Sequence, residues 1–192
     1  MINLLLILII SFYLSITDKG IENFLRIVTP DVHEEYVIGL WQRTEHKIGL
    51  WMQGQMLMGI IVGVLAYLGL TIIGVKYSLV LALTVIIAEL VPFGLIVATI
   101  PAILFAYLDG GVAVSAITLG FYLILGQFET YLIYPLIVKK ATGISPLVVI
   151  LSVLIGAELA GIWGVFLAVP MAVCLLEFLD DLEKKKIKAR IN

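Results

Sequence analysis

Apolar residues run in long blocks along this chain, and a single extended polar stretch interrupts them. Met1 to Ile16 is apolar, Thr17 to Leu50 is polar, and from Met52 onward apolar segments alternate with short polar breaks. The first block reads as a membrane helix, short against the ~20 residues that a crossing needs. It has no basic leader and no small-residue cleavage site, so it does not read as a secretory signal. The polar stretch holds four Lys/Arg and six Asp/Glu. Within it, Thr29-Pro30-Asp31 predicts a helix start, with Thr29 as N-cap, Pro30 at the first helical position and an acid in the first turn. Val32, Tyr36 and Leu40 then repeat every four residues beside Glu34, Glu35 and Arg43. That stripe fits an amphipathic helix at the membrane interface as well as a solvated connector.

Met52 to Ile73 is a full-length span whose Gly54, Gly59 and Gly63 would let another helix approach closely. Leu79 to Leu108 is awkward in length. At 1.5 Å per residue it would reach roughly 45 Å, too long for one upright crossing of a ~30 Å core and too short for two. Its middle reads Ala88-Glu89-Leu90-Val91-Pro92-Phe93-Gly94. Pro92 removes a backbone donor and disfavours helix at Val91, so two half-helices meeting at a turn are expected. Gly111 to Val138 is another span and ends at Lys139-Lys140. Pro146 to Leu179 repeats the awkward length around a glycine-rich middle that includes Gly156, Gly161 and Gly164. A basic tail runs from Lys184 to Arg190.

The two awkward segments superimpose without a gap at an offset of 69, which places Gly74 on Gly143, Ala88-Glu89-Leu90 on Ala157-Glu158-Leu159 and Pro101 on Pro170. Seven of the 35 pairs from Gly74 to Leu108 are identical, and the scarce glutamate and proline are among them. Each segment follows a Gly-Gln pair, Gly54-Gln55 or Gly126-Gln127. A duplicated unit of one span plus one broken hairpin is the result. If each hairpin enters and leaves on one face, the units are inverted copies, as in transporters whose discontinuous helices meet near the midplane. With both hairpins re-entrant, eleven of the twelve Lys/Arg fall on one side, against eight and four when the first hairpin crosses. The positive-inside rule prefers the re-entrant arrangement.

The expected fold is therefore an all-α, polytopic membrane bundle with two Pro/Gly-broken, re-entrant hairpins in an inverted repeat. Its parts are a transmembrane helix at 1–16 and a cytoplasmic amphipathic connector at 17–50. Repeat units follow at 51–110 and 111–181, and a basic cytoplasmic tail closes the chain at 182–192.

Composition sharpens the exclusions. Of 192 residues, 62% are apolar and 14% charged, against about 45–50% and roughly 25% in soluble domains. That rules out a soluble enzyme, a nucleic-acid binder and a disordered scaffold. The net charge of −2 provides no field for DNA. The one cysteine, Cys174, excludes a disulfide framework, and His33 and His46 form no metal-binding pattern. No GxSxG elbow, HExxH, Walker A loop or protease-like aspartate pair is present, so no catalytic role is assigned and no cofactor is expected.

Candidate chemistry then rests on acids within lipid-spanning sequence. A carboxylate at the bilayer centre costs roughly 2.5–3.5 kcal/mol, so each such acid needs a reason. Glu89 and Glu158 occupy equivalent repeat positions beside predicted breaks at Pro92 and Gly94 and at Gly161 and Gly164. They can bind a coupling cation (Na⁺ or H⁺) or a polar solute, or can accept hydrogen bonds from freed backbone donors and hold the turn. Gln127 and Glu129 lie before Pro135 with Tyr131 and Tyr134. Two residues apart on a regular helix, the pair faces about 200° apart, so either the helix is distorted or only one faces inward. Gln55 joins the candidates as the repeat partner of Gln127. Asp109-Gly110-Gly111 reads as an exposed turn, Glu177, Asp180 and Asp181 as boundary acids, and the tail as a contact for anionic membrane lipid.

Glu89-Leu90-Val91-Pro92-Phe93-Gly94 followed by Ile100-Pro101 resembles a segment of the autoinducer-2 exporter family of permeases, with Phe93 where tyrosine is usual. Gly126-Gln127-Phe128-Glu129 with Pro135 resembles that family's Q-x-E…P element. Pro146-Leu147-Val148, Gly161-Ile162-Trp163-Gly164 and Ala168-Val169-Pro170 are similar to its closing stretch. The resemblance covers most of Trp51 to Leu179. It implies a multi-pass secondary transporter of the bacterial inner membrane, some members exporting autoinducer-2 and others assigned Na⁺(Li⁺)/H⁺ exchange. Members are usually longer, so the chain looks like a C-terminal portion. A homo-oligomer is expected, and a non-transporting oligomeric scaffold is the reading from another class.

Overall fold

The computed structural model describes residues 19–139 and 144–191. The helix expected at 1–16, together with Lys140 and Gly143, lies outside the described residues. The described elements are helical: α1 (Gly20–Val28), α2 (Asp31–Ile73), α3 (Ser78–Ala88), α4 (Gly94–Phe128), two π-helical turns (Glu129–Ile133 and Pro135–Lys139) and α5 (Pro146–Ile191). Among the described residues, Asp31–Ile73, Gly94–Ile137 and Leu147–Lys184 are long and apolar enough to cross a membrane. The chain divides into two compact units, residues 1–46 with 174–192, and residues 47–173.

In the first unit, α2 starts at Asp31, one residue after the proline expected to open it, and the His33 N–H bonds the Pro30 carbonyl at 2.9 Å. Along the stripe Val32 is exposed and Tyr36 and Leu40 are partly exposed, while Ile38 is the buried apolar residue there. Polar links hold the unit. Arg26 pairs with Glu34 at 2.6 Å, Gln42 donates to Glu22 at 2.9 Å, and Arg43 bridges Glu177 and Asp181. The acids expected at a membrane boundary are thus in part clasped by a cation from α2.

In the second unit, the buried face of α2 runs through Trp51, Gln55, Met58, Val62, Ala66 and Leu70. The opposite face exposes Met56, Ile60, Val64, Leu68 and Ile72, the pattern of a helix with protein on one side and lipid on the other. At its end Gly74 takes φ 88, and the Val75 N–H reaches back to the Leu70 carbonyl at 3.0 Å. This is a left-handed C-terminal stop that glycine permits. α3 then returns antiparallel along α2. A Cβ on Gly59 would lie 3.1 Å from the Ile86 carbonyl oxygen, and one on Gly63 would overlap the Ile86 side chain. The glycines permit the close approach that their spacing predicts.

The break falls where Pro92 places it. α3 ends at Ala88, Phe93 takes φ 67, and α4 begins at Gly94. A Cβ on Gly94 would overlap the Ala88 carbonyl. The first arm of α4, residues 94–110, returns to the start of α3, where the Asp109 carboxylate accepts from the Lys76 N–H at 2.7 Å. Asp109 is tied down by this bond, and the chain turns just after it, at exposed Gly110 and partly exposed Gly111, as expected. Gly111, at φ 68 and ψ −159, reverses the chain again. The second arm, 111–128, runs back beside the first, so that a Cβ on Gly126 would lie 3.6 Å from Leu95 Cδ2. Approaching Pro135, the helix loosens into the two π turns.

The long stretch of α5 contains a further reversal, at Ala160 (φ −142, ψ 19) and Gly161 (φ 57, ψ −136). A Cβ on Gly164 would overlap the Gly156 carbonyl, although eight residues of straight helix span about 12 Å. The backbone has doubled back. Phe93 and Gly161, the left-handed residues of the two reversals, stand 68 positions apart, one short of the repeat offset. Pro101 and Pro170 sit inside helical stretches.

Candidate functional site

The turn between α3 and α4 leaves backbone carbonyls without helical partners, and Pro92 contributes no N–H. Gln55, on the buried face of α2, supplies what is missing. Its side-chain nitrogen donates to the Glu89 carbonyl at 2.9 Å, and the residue is 2% exposed. The Glu89 N–H continues the helix by bonding the Val85 carbonyl at 2.9 Å. The backbone of Glu89 is satisfied at both ends.

Its side chain is less well served. Glu89 is 0% exposed, and no side-chain donor bonds either carboxylate oxygen. Two groups act on it, the Leu95 N–H in the first turn of α4 as a backbone donor and the Glu129 carboxylate through space. The first presents the positive end of a helix dipole; the second is a like charge. Gly59 makes the room, since a Cβ there would stand 3.1 Å from Glu89 Cβ. Gln55 helps to hold the turn from α2, the Leu95 N–H offers the acid a backbone donor at the break, and both roles stay open to Glu89.

The structure thus brings together Gln55, Glu89 and Glu129 and leaves the other candidates out. Glu158, expected to mirror Glu89, is exposed beside the α5 reversal, and Gln127, expected to mirror Gln55, is exposed on α4. Glu89 and Glu158 therefore sit in unlike environments. Gln127 faces outward while Glu129 is half-buried, as their opposition on a helix requires. Pro92 and Gly94 shape the buried turn, whereas Gly161 and Gly164 shape the exposed one.

Thr44, Thr118, Tyr122 and Tyr134 each carry a buried hydroxyl without a partner, and of these the sequence pointed to Tyr134 alone. Thr118 and Tyr122 are one helical turn apart and seven residues short of Glu129 in the second case, a spacing that was readable as one face.

The family model described as AI-2E family transporter matches residues 1–184. The candidate permease PerM of Escherichia coli (strain K12) is 32% identical over 90% of this chain and 49% of its own length. A candidate transport protein of Mycobacterium tuberculosis (strain CDC 1551 / Oshkosh) is 38% identical over 53% of this chain and 28% of its own. The candidate transport protein YrrI of Bacillus subtilis (strain 168) is 35% identical over 64% and 35%. The chain spans half or less of the length of each of these relatives. No solved structure matches.

Proposed function

The chain belongs to the AI-2E transporter family, and on that premise we propose that it forms the hairpin core of a secondary permease. Its cargo is a small polar solute such as autoinducer-2, moved across the bacterial inner membrane.

The observation that carries this reading is the fully buried carboxylate of Glu89, bonded by no side chain, at a turn between two helical arms. A buried acid in lipid-spanning sequence is costly, and binding an arriving cation or polar group would offset that cost. Re-entry of the hairpin is supported by length and by its ends. The 11 residues of α3 reach about 16 Å, half the hydrocarbon core. The return arm ends on Lys76, beside the start of α3. Broken backbone is tolerable at such depth only when protein covers it, and Gln55 provides that cover. The reversal of α5 at Gly161 supports a second hairpin, and with it an inverted pair of units working by alternating access.

Glu89 would take the polar end of the solute or its coupling ion, Na⁺ or H⁺, while Glu129 adds negative field from α4. Na⁺(Li⁺)/H⁺ exchange through Glu89 is the second reading, favoured by the absence of any side-chain hydrogen bond to that carboxylate. Proteoliposomes separate the two. Uptake of labelled autoinducer-2 above empty vesicles supports the solute reading. Sodium-dependent pH changes without solute flux support exchange. Silence in both assays removes both.

A further inference from the structure

The second arm of α4 carries polar side chains that the hairpin site does not use. Thr118 is 0% exposed and Tyr122 3% exposed, and neither hydroxyl has a partner. Glu129 follows on the same face, half-buried at the first π turn. Spacings of four and seven residues keep all three on one stripe, with buried Leu125 between them. The stripe extends over about 16 Å of helix. The Glu89 turn meets it partway, because Leu95 lies against Gly126 and the Leu95 N–H faces the Glu89 carboxylate.

A buried hydroxyl without a partner costs about 1–3 kcal/mol, and folded interiors hold few such groups. Valine in place of Thr118 and phenylalanine in place of Tyr122 would fill the same space without that cost. The hydroxyls are therefore unsuited to the packing in which they are found and suited to one in which the face meets water. The arm is also bounded by two departures from regular α-helix. Gly111 holds a backbone conformation (φ 68, ψ −159) that only glycine adopts readily. At the other end, the turns at Glu129–Ile133 and Pro135–Lys139 are π-helical, a form found mostly as single-turn bulges and frequently at functional sites.

We propose that Thr118, Tyr122 and Glu129 line a water-admitting path to Glu89, shut in this structure, and that the second arm of α4 opens it by moving about Gly111 and the π turns. The path carries water together with the hydrated polar solute or cation bound for Glu89. Its purpose rests on the transport reading, but its existence is measured separately.

The test uses single cysteines in a Cys174→Ser background, reconstituted in vesicles and treated with a membrane-impermeant thiol reagent that reacts only in water. Thr118→Cys and Tyr122→Cys should label at least tenfold faster than Leu123→Cys and Ile124→Cys, which lie on the exposed side of the same arm. Labelling no faster than these controls overturns the proposal. Hydroxyl-radical footprinting of the unsubstituted protein guards against misfolded variants: oxidation of the Tyr122 ring supports the path, and a fully protected ring contradicts it. Tyr122→Phe adds a readout that a packing role would reverse, because it should raise the unfolding temperature while slowing labelling at position 118. Flux that is absent while labelling persists removes the transport reading and leaves the path standing.

Discussion

The side-chain amide of Gln55 donates to the backbone carbonyl of Glu89 at 2.9 Å, joining α2 to the turn between α3 and α4 while no side chain bonds the Glu89 carboxylate. One residue secures the backbone so that the other can keep its side chain available. Removing the amide should therefore harm the fold before it harms any chemistry. Gln55→Leu leaves a buried carbonyl without its donor and should destabilise the protein by about 1–3 kcal/mol. Thermal unfolding in detergent measures this, and an unchanged midpoint would show that the bond contributes nothing.

Glycine substitutions should divide according to what each new methyl meets. At Gly94 it would overlap the Ala88 carbonyl, and at Gly164 the Gly156 carbonyl. Backbone cannot yield as a side-chain tip can, so Gly94→Ala and Gly164→Ala should each unseat a hairpin and lose monodisperse protein. Gly120 lies in a helix with nothing within 4 Å of its would-be Cβ. Gly120→Ala should stabilise by roughly 0.5–1 kcal/mol, the helix-propensity difference. Size-exclusion profiles and unfolding midpoints of the three variants check both signs.

Arg43 bridges Glu177 and Asp181 within one unit. Its guanidinium is about half exposed, so solvent screens the pairing and Arg43→Ala should cost about 1 kcal/mol or less. The loss should shrink as salt is raised from 0.01 M to 1 M, because the screening length falls from about 30 Å to 3 Å. A salt-independent loss would assign the effect to packing of the side-chain stem instead.

The reversals were legible because their causes are local. Pro92 removes a backbone donor and, with Gly94 two residues on, ends the helix where Pro101 and Pro170 do not, and Gly161 takes a positive φ that most residues avoid. The lipid-facing stripe of α2 and the split between Gln127 and Glu129 likewise follow from helical period alone. Burial of the acids was not legible. Glu89 and Glu158 share a local sequence, but Gly59 and Gln55 of α2 cover the first, while the second stays exposed. The hydroxyls of Thr118 and Tyr122 escaped for a related reason, since threonine and tyrosine in an apolar helix are ordinary until their partners are sought.

The proposed site assigns the polar contact to one glutamate of the repeated pair, and conservative amides test that assignment. Glu89→Gln keeps the shape and the Gln55 bond to the backbone carbonyl, so unfolding temperature should be held or raised. Labelled autoinducer-2 flux into proteoliposomes is the decisive measurement, taken side by side for Glu89→Gln and Glu158→Gln. At least a tenfold loss in Glu89→Gln with near-normal flux in Glu158→Gln is predicted. Normal flux in Glu89→Gln, or an equal loss in both variants, would contradict it.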